Sequence, residues 1–136
     1  MKQTHVSTLR VRYEETDQMG VVHHSKYVNW FEVGRTEFLR EQGMDYKEVE
    51  TLGLMLPVLE VNVKYHQPAR YDDLIAVHTA IESYKGVRIT FSYDIKKGEK
   101  LLVSGQTTHC FTNLDFRPTP VQKVNKELHH LIKQLI

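Results

Sequence analysis

A single cysteine, Cys110, stands in the 136 residues of this chain. No internal disulfide can form, and no Cys-x-x-Cys metal or redox motif exists. A lone thiol suits a reducing compartment, so the expected location is cytoplasmic. An excess of one charge is missing too. The 18 Lys and Arg balance 17 Asp and Glu to a net +1, which argues against nucleic acid and against strongly charged partners. No apolar run approaches the ~20 residues that span a bilayer. Met1–His5 leads into no run of signal-peptide length, and no membrane association is expected. The glycines form no phosphate-binding loop. No Gly-x-Ser-x-Gly elbow of a serine hydrolase appears. The tandem histidines at 23–24 and 129–130 belong to no His-Glu-x-x-His pair. No metal and no resident cofactor are expected. Repeats and low-complexity linkers are absent as well, so residues 1–136 are expected to form one domain.

What is present is ordinary globular material: 40% apolar and 26% charged residues. Leu9, Val11 and Tyr13 alternate with arginines, which predicts a strand over about 5–13. Residues 14–24 lack a period and read as a loop. A helix is predicted from Ser25 to Gln42, with Ser25 as its cap and Gly43 as its left-handed stop. Its stripe is Tyr27, Trp30, Phe31, Gly34 and Phe38. Gly34 costs about 1 kcal/mol in a helix interior, so close packing of another backbone is expected there. Asp45 and Glu48 stand at capping-box spacing before a short helix that ends near Leu52. The period then changes to two. Leu59–Tyr65, Ile75–Ile81, Val87–Ile95 and Leu101–Phe111 alternate, with turns at Tyr84-Lys85-Gly86 and Lys97-Gly98-Glu99. Thr119-Pro120 has the form of a cap and first turn for a C-terminal helix through Leu135. The order predicts an α+β fold: a curved five-stranded antiparallel sheet around a long central helix, plus a C-terminal helix. A single sheet leaves free edges, so self-association is expected.

Chemistry concentrates in Tyr13-Glu14-Glu15-Thr16-Asp17-Gln18-Met19-Gly20-Val21-Val22-His23-His24-Ser25. An acid and two histidines lead straight into a helix start. Helix N-termini carry unpaired N–H groups and partial positive charge, and so can hold an oxyanion. The amides near His24 and Ser25 are the natural donors. A carboxylate beside such a site suits acyl hydrolysis. The spacing alone also allows Asp17 to be a cap or a solvated loop residue.

The segment resembles the signature of hotdog-fold thioesterases of the 4-hydroxybenzoyl-CoA thioesterase and YbgC type. The match is Tyr13-x-x-Thr16-Asp17-x-x-Gly20-Val21-Val22-x-His24-x-x-Tyr27, continued by Phe31-Glu32 and Arg35-Thr36-Glu37. A second match is Tyr65-His66-Gln67-Pro68-Ala69-Arg70-Tyr71-Asp72-Asp73. The resemblance spans about residues 5–118. It implies an acyl-CoA thioesterase in which Asp17 is nucleophile or general base, with the oxyanion at His24. Tyr13 and His24 match the tyrosine and histidine that flank the family's aspartate, although Tyr13 could instead end the first strand as a core aromatic. His24 could contribute its backbone alone, and His23 is left as structural. Gly20, Val22 and Ser25 fall on the implied substrate surface. Lys85, Gly86 and Arg88 match the turn where the family places cations for the coenzyme A phosphates, although a solvated hairpin has the same composition. Arg70 could meet phosphate or pair with Asp72 and Asp73. The resemblance further implies a homodimer that shares its active sites, or a homotetramer. Two alternatives share the fold: an acyl-thioester hydratase or dehydratase, and a non-catalytic CoA-thioester-binding protein.

Overall fold

Residues 3–136 are described in the computed structural model. Strand β1 (Thr4–Arg10) is followed by a single 3-10 turn, Tyr13–Glu15. Helix α1 (Lys26–Glu41) and the short α2 (Tyr46–Thr51) come next. Strands β2 (Val58–Tyr65), β3 (Leu74–Lys85), β4 (Arg88–Lys97) and β5 (Lys100–Cys110) follow. Helices α3 (Val121–Val124) and α4 (Lys126–Gln134) end the chain. The strands form one antiparallel sheet in the order β1-β3-β4-β5-β2, so the α+β architecture matches the expectation.

Alternation puts Ile75, Val77, Ile81, Ile89, Phe91, Tyr93, Ile95 and Val103 on the inner face, all buried. Helix α1 lays Tyr27, Trp30, Phe31, Phe38 and Leu39 across that face. Phe31 stacks flat on Tyr93, ring centroids 4.3 Å apart. Two glycines permit this closeness. A Cβ on Gly105 would lie 2.6 Å from the Phe31 ring and 2.5 Å from the Asn62 carbonyl. A Cβ on Gly34 would collide with Thr79 Oγ1 and lie 2.7 Å from Val77 Cγ1. The close neighbours of Gly34 are therefore β3 side chains, not a second backbone.

One polar chain crosses the core. Arg35 Nε–H donates to Tyr46 Oη at 2.9 Å. Tyr93 Oη and Thr107 Oγ1 lie 2.6 Å apart, and His109 Nε2 meets the same Thr107 hydroxyl at 2.8 Å. His109 Nδ1 faces the Leu56 carbonyl at 3.2 Å. A neutral ring protonated on Nδ1 satisfies His109, Thr107 and Tyr93 together. Burial, and secondarily the Arg35 charge, push the His109 imidazole down to about 4, so it is neutral at pH 7.

Three local expectations are corrected. Strand β1 stops at Arg10, because Val11 leaves the ladder to exchange backbone bonds with Asp72 and Asp73 (Val11 N–H to Asp73 O, 2.9 Å). Tyr13 is therefore no core aromatic ending a strand; it is 76% exposed. The C-terminal helix is two helices. Asn125 is extended (φ −155°) and its side chain accepts from the Leu128 amide, which restarts the helix. Pro120, not Thr119, holds the α3 cap position; the Thr119 hydroxyl donates to the Arg117 carbonyl instead.

Candidate active site

Residues 15–23 fold into a small hairpin against the segment 69–70. Thr16 pairs with Val22, and Val21 with Arg70. The His23 amide donates to the Glu15 carbonyl at 2.8 Å, and the Val22 amide to the Ala69 carbonyl at 2.9 Å. Gly20 makes the turn possible: its φ is +81°, and its amide donates to the Asp17 carbonyl. The base of the hairpin is held by Glu15, which is buried. Its Oε1 accepts the Arg12 amide at 2.8 Å and its Oε2 accepts the Trp30 indole N–H at 2.9 Å. This ties the loop to helix α1.

Asp17 is half-buried on the same hairpin. Its Oδ1 accepts the amides of Met19 (2.8 Å) and Val21 (3.4 Å). Its Oδ2 bonds to no group among the described residues. One oxygen thus fixes the carboxylate while the other stays available for chemistry.

The hairpin delivers the chain into α1, and here a further expectation is corrected. Ser25 does not cap the helix; it is already helical in φ and ψ, and its side chain makes no cap bond. Its hydroxyl meets His23 Nδ1 at 2.8 Å, and that ring nitrogen accepts the Ser25 amide at 3.2 Å. His23, left as structural from sequence, supplies the cap-like contact. The His24 amide donates to no group among the described residues, while its carbonyl accepts the Tyr65 hydroxyl at 2.9 Å. A free amide at the positive end of a 16-residue helix is an anion donor.

Beside it opens a cleft of about 210 Å³, lined by Val22, His24, Tyr27, Tyr65, His66, Gln67 and Pro68. The buried Tyr27 hydroxyl anchors the far wall by accepting the Ala69 amide at 3.0 Å. Burial raises its pKa, against the lowering effect of that bond. Tyr65 packs edge-on to Tyr27 at 5.6 Å. Tyr65 and Gln67 are site-lining residues that the sequence left unassigned, although both stand in the second matched motif. Larger hollows lie on the outer sheet face and beside α4; neither includes Asp17 or the start of α1.

The structure brings Asp17, Gly20, Val22, His24 and Ser25 onto one loop. Tyr13 stands at its outer side, edge-on to Tyr71 at 5.6 Å. It does not bring Lys85, Gly86 and Arg88 there within one chain. That turn closes the opposite end of β3, roughly 35 Å along the strand from Leu74, whereas the Asp17 hairpin sits at the Leu74 end. Gly86 takes φ +64° in it. Arg70 pairs with neither acid: Asp73 takes Lys97 at 2.8 Å, and Asp72 lies 3.8 Å from Arg10. Burial works to raise the Asp73 carboxyl, but the bonds from Lys97 and the Arg70 amide hold it below its usual value.

Residues 11–128 match the thioesterase-like superfamily. The chain belongs to that superfamily. It is 36% identical to YneP of Bacillus subtilis over 129 residues, covering 92% of this chain and 94% of YneP. It is 35% identical to the acyl-CoA thioester hydrolase YbgC of Escherichia coli over 117 residues, covering 85% and 87%. Among solved structures, a DHNA-CoA thioesterase from Staphylococcus aureus superposes with a TM-score of 0.93 at 29% identity, covering 97% of this chain and 90% of that one. The sheet and central helix are those of hotdog thioesterases, and the chain is a homologue of acyl-CoA thioester hydrolases. No helix among the described residues is long and apolar enough to cross a membrane.

Proposed function

We propose that this protein, as one domain over residues 1–136, hydrolyses the thioester of an acyl-CoA to a carboxylate and free coenzyme A. The observation that carries the reading is the free Oδ2 of Asp17 on the hairpin that ends at the unpartnered His24 amide. As general base, Asp17 takes a proton from water as the water oxygen bonds to the thioester carbon. The electron pair of the C=O bond moves onto oxygen, and the His24 amide stabilises that charge. Collapse restores C=O, breaks C–S, and the departing thiolate takes the proton from Asp17. If Oδ2 attacks directly, the same oxyanion forms and an acyl anhydride precedes hydrolysis. Removing one oxyanion donor typically costs ~10²–10³ in rate.

Strand β2 supports a dimer. It lies at the sheet edge, with Val58, Leu59, Val61 and Tyr65 exposed, an apolar template for strand pairing. Antiparallel pairing of two β2 edges brings the Val58 end of one copy beside the Tyr65 end of the other. The Lys85–Arg88 turn shares the Val58 end of the sheet. In such a dimer Lys85 and Arg88 of the second copy face the coenzyme A phosphates, with Gly86 allowing close backbone approach. Tyr13 flanks the same opening, and two dimers can associate as a tetramer. Coenzyme A thioesters and the lone Cys110 both suit a cytoplasmic location.

Free-thiol release across aliphatic chain lengths and aromatic acyl-CoAs tests the reading. Release with at least one class is expected. Hydration of an enoyl-CoA without thiol release would assign the site to a hydratase instead. Coenzyme A binding without any turnover would make it a binding protein.

A further inference from the structure

The segment Asn113–Pro118 joins β5 to α3 and is built to hold a strained shape. Thr112 pairs with Met55 on one side and Pro118 on the other. The Asn113 side-chain oxygen accepts the amides of Asp115 (2.9 Å) and Arg117 (3.1 Å). Its carbonyl accepts the Phe116 amide at 3.1 Å, and its own amide donates to the Arg117 carbonyl at 2.9 Å. Phe116 is thereby held at φ +61°, a region bulky residues avoid. The result is two apolar side chains in water: Leu114 is 63% exposed and Phe116 69%. A turn needing only its conformation would carry glycine or asparagine at position 116. Here strain is accepted to display a ring.

We infer that Leu114 and Phe116 complete the active-site cleft of a second copy of this chain, forming the apolar wall opposite Val22, Tyr27, Tyr65 and Pro68. This rests on the dimer and the thioesterase reading proposed above. The loop caps the end of β5 where His109 pairs with Val58 of β2, and the cleft lies at the Tyr65 end of β2. Within one chain the two are separated by the length of β2, roughly 25 Å. Antiparallel pairing of two β2 edges removes that separation. It sets the β5 end of one copy beside the Tyr65 end of the other, two strand spacings across, roughly 10 Å. Apolar side chains reaching over that gap cover a cleft that stands open on one side in the single chain. They narrow it around the thioester arm and exclude bulk water from Asp17.

Two experiments on the full-length protein test this. Phe116→Cys combined with Gln67→Cys places thiols on the loop and the cleft rim; a short bismaleimide should give a covalent dimer in the double variant and in neither single variant. Absence of the covalent dimer overturns the inference whatever the activity proves to be. The second experiment reads catalysis. Leu114→Ser/Phe116→Gly, in which glycine accepts the left-handed conformation without strain, should lower kcat/KM by about tenfold or more, as loss of two apolar contacts implies. Its melting temperature should not fall. Subunits of this variant are then exchanged with subunits of Asp17→Asn. Mixed dimers pair an intact Asp17 with an intact loop from the other copy, so activity should rise above that of either parent. No rise, or full activity in the loop variant alone, overturns the inference. A covalent dimer from the double variant, beside a wild-type protein that releases no thiol from any acyl-CoA, would sink the thioesterase reading and leave the loop's position standing.

Discussion

The N-termini of α1 and of α2 and α4 are built differently. Asp45 accepts the Glu48 amide at the start of α2, and Asn125 accepts the Leu128 amide at the start of α4. Each closes its helix with its own side chain. Helix α1 is the longest of the helices, yet the residue at its cap position, Ser25, makes no cap bond with its own side chain. Its approach is instead fixed from behind, by Glu15 on Trp30 and by His23 on Ser25. Stability and availability are thus separated. Residues behind the terminus hold it, and the His24 amide is left without a partner among the described residues.

Changes at the open terminus should act on rate, and changes at the closed ones on stability. The largest effect is expected from His24→Pro, which removes the amide but no hydrogen bond that it makes among the described residues. Its kcat should fall by ~10²–10³, while His24→Ala, which keeps the amide, should lose less. Steady-state kinetics on the two variants separates backbone from imidazole. Equal losses would remove the amide from the account.

Acid should probe the closed core next. His109 is held down to about 4 in the fold against about 6.5 when unfolded. The folded state therefore binds fewer protons below neutrality. The stability is fully present above pH 6.5 and is lost as the pH falls toward 4. The loss is at most roughly 3 kcal/mol, read by urea unfolding across that range and abolished in His109→Gln. A smaller effect is expected at the closed helix ends. Asn125→Ala should cost about 1 kcal/mol with turnover unchanged. Smallest of all, Ser25→Ala should cost only a few tenths, because Ser25 makes no cap bond to α1. A 1 kcal/mol loss there would erase the contrast between the helix ends. Thermal unfolding of the two variants side by side makes that comparison.

Period and punctuation made most of the fold readable. The strands alternate cleanly because their inner faces are buried, and Gly43, Asp45 and Gly53 stop or start helices by local chemistry. Local signals failed where tertiary partners intervene. Asn125 restarts a helix inside a continuous apolar stripe. Tyr13 leaves the strand pattern because Val11 bonds to the 72–73 turn. In the site, Asp17, Gly20 and His24 were visible through contiguous sequence. Spacing makes Ser25 read as a cap, whereas its hydroxyl is taken by a histidine ring two residues before it. Tyr65 stayed unassigned because its contact with His24 spans 41 residues. The opposite ends taken by Asp17 and the Lys85–Arg88 turn follow from strand order, which motif spacing does not encode.

The central claim is that Asp17 acts on a thioester through its free oxygen. Asp17→Asn keeps the size of the side chain and the oxygen that anchors the turn, and removes the basic carboxylate. Its thiol release from an acyl-CoA that the wild-type protein turns over should fall at least ~10³-fold, within the range by which catalytic acids and bases contribute, with coenzyme A affinity and melting temperature nearly unchanged. Wild-type turnover in Asp17→Asn would contradict the account.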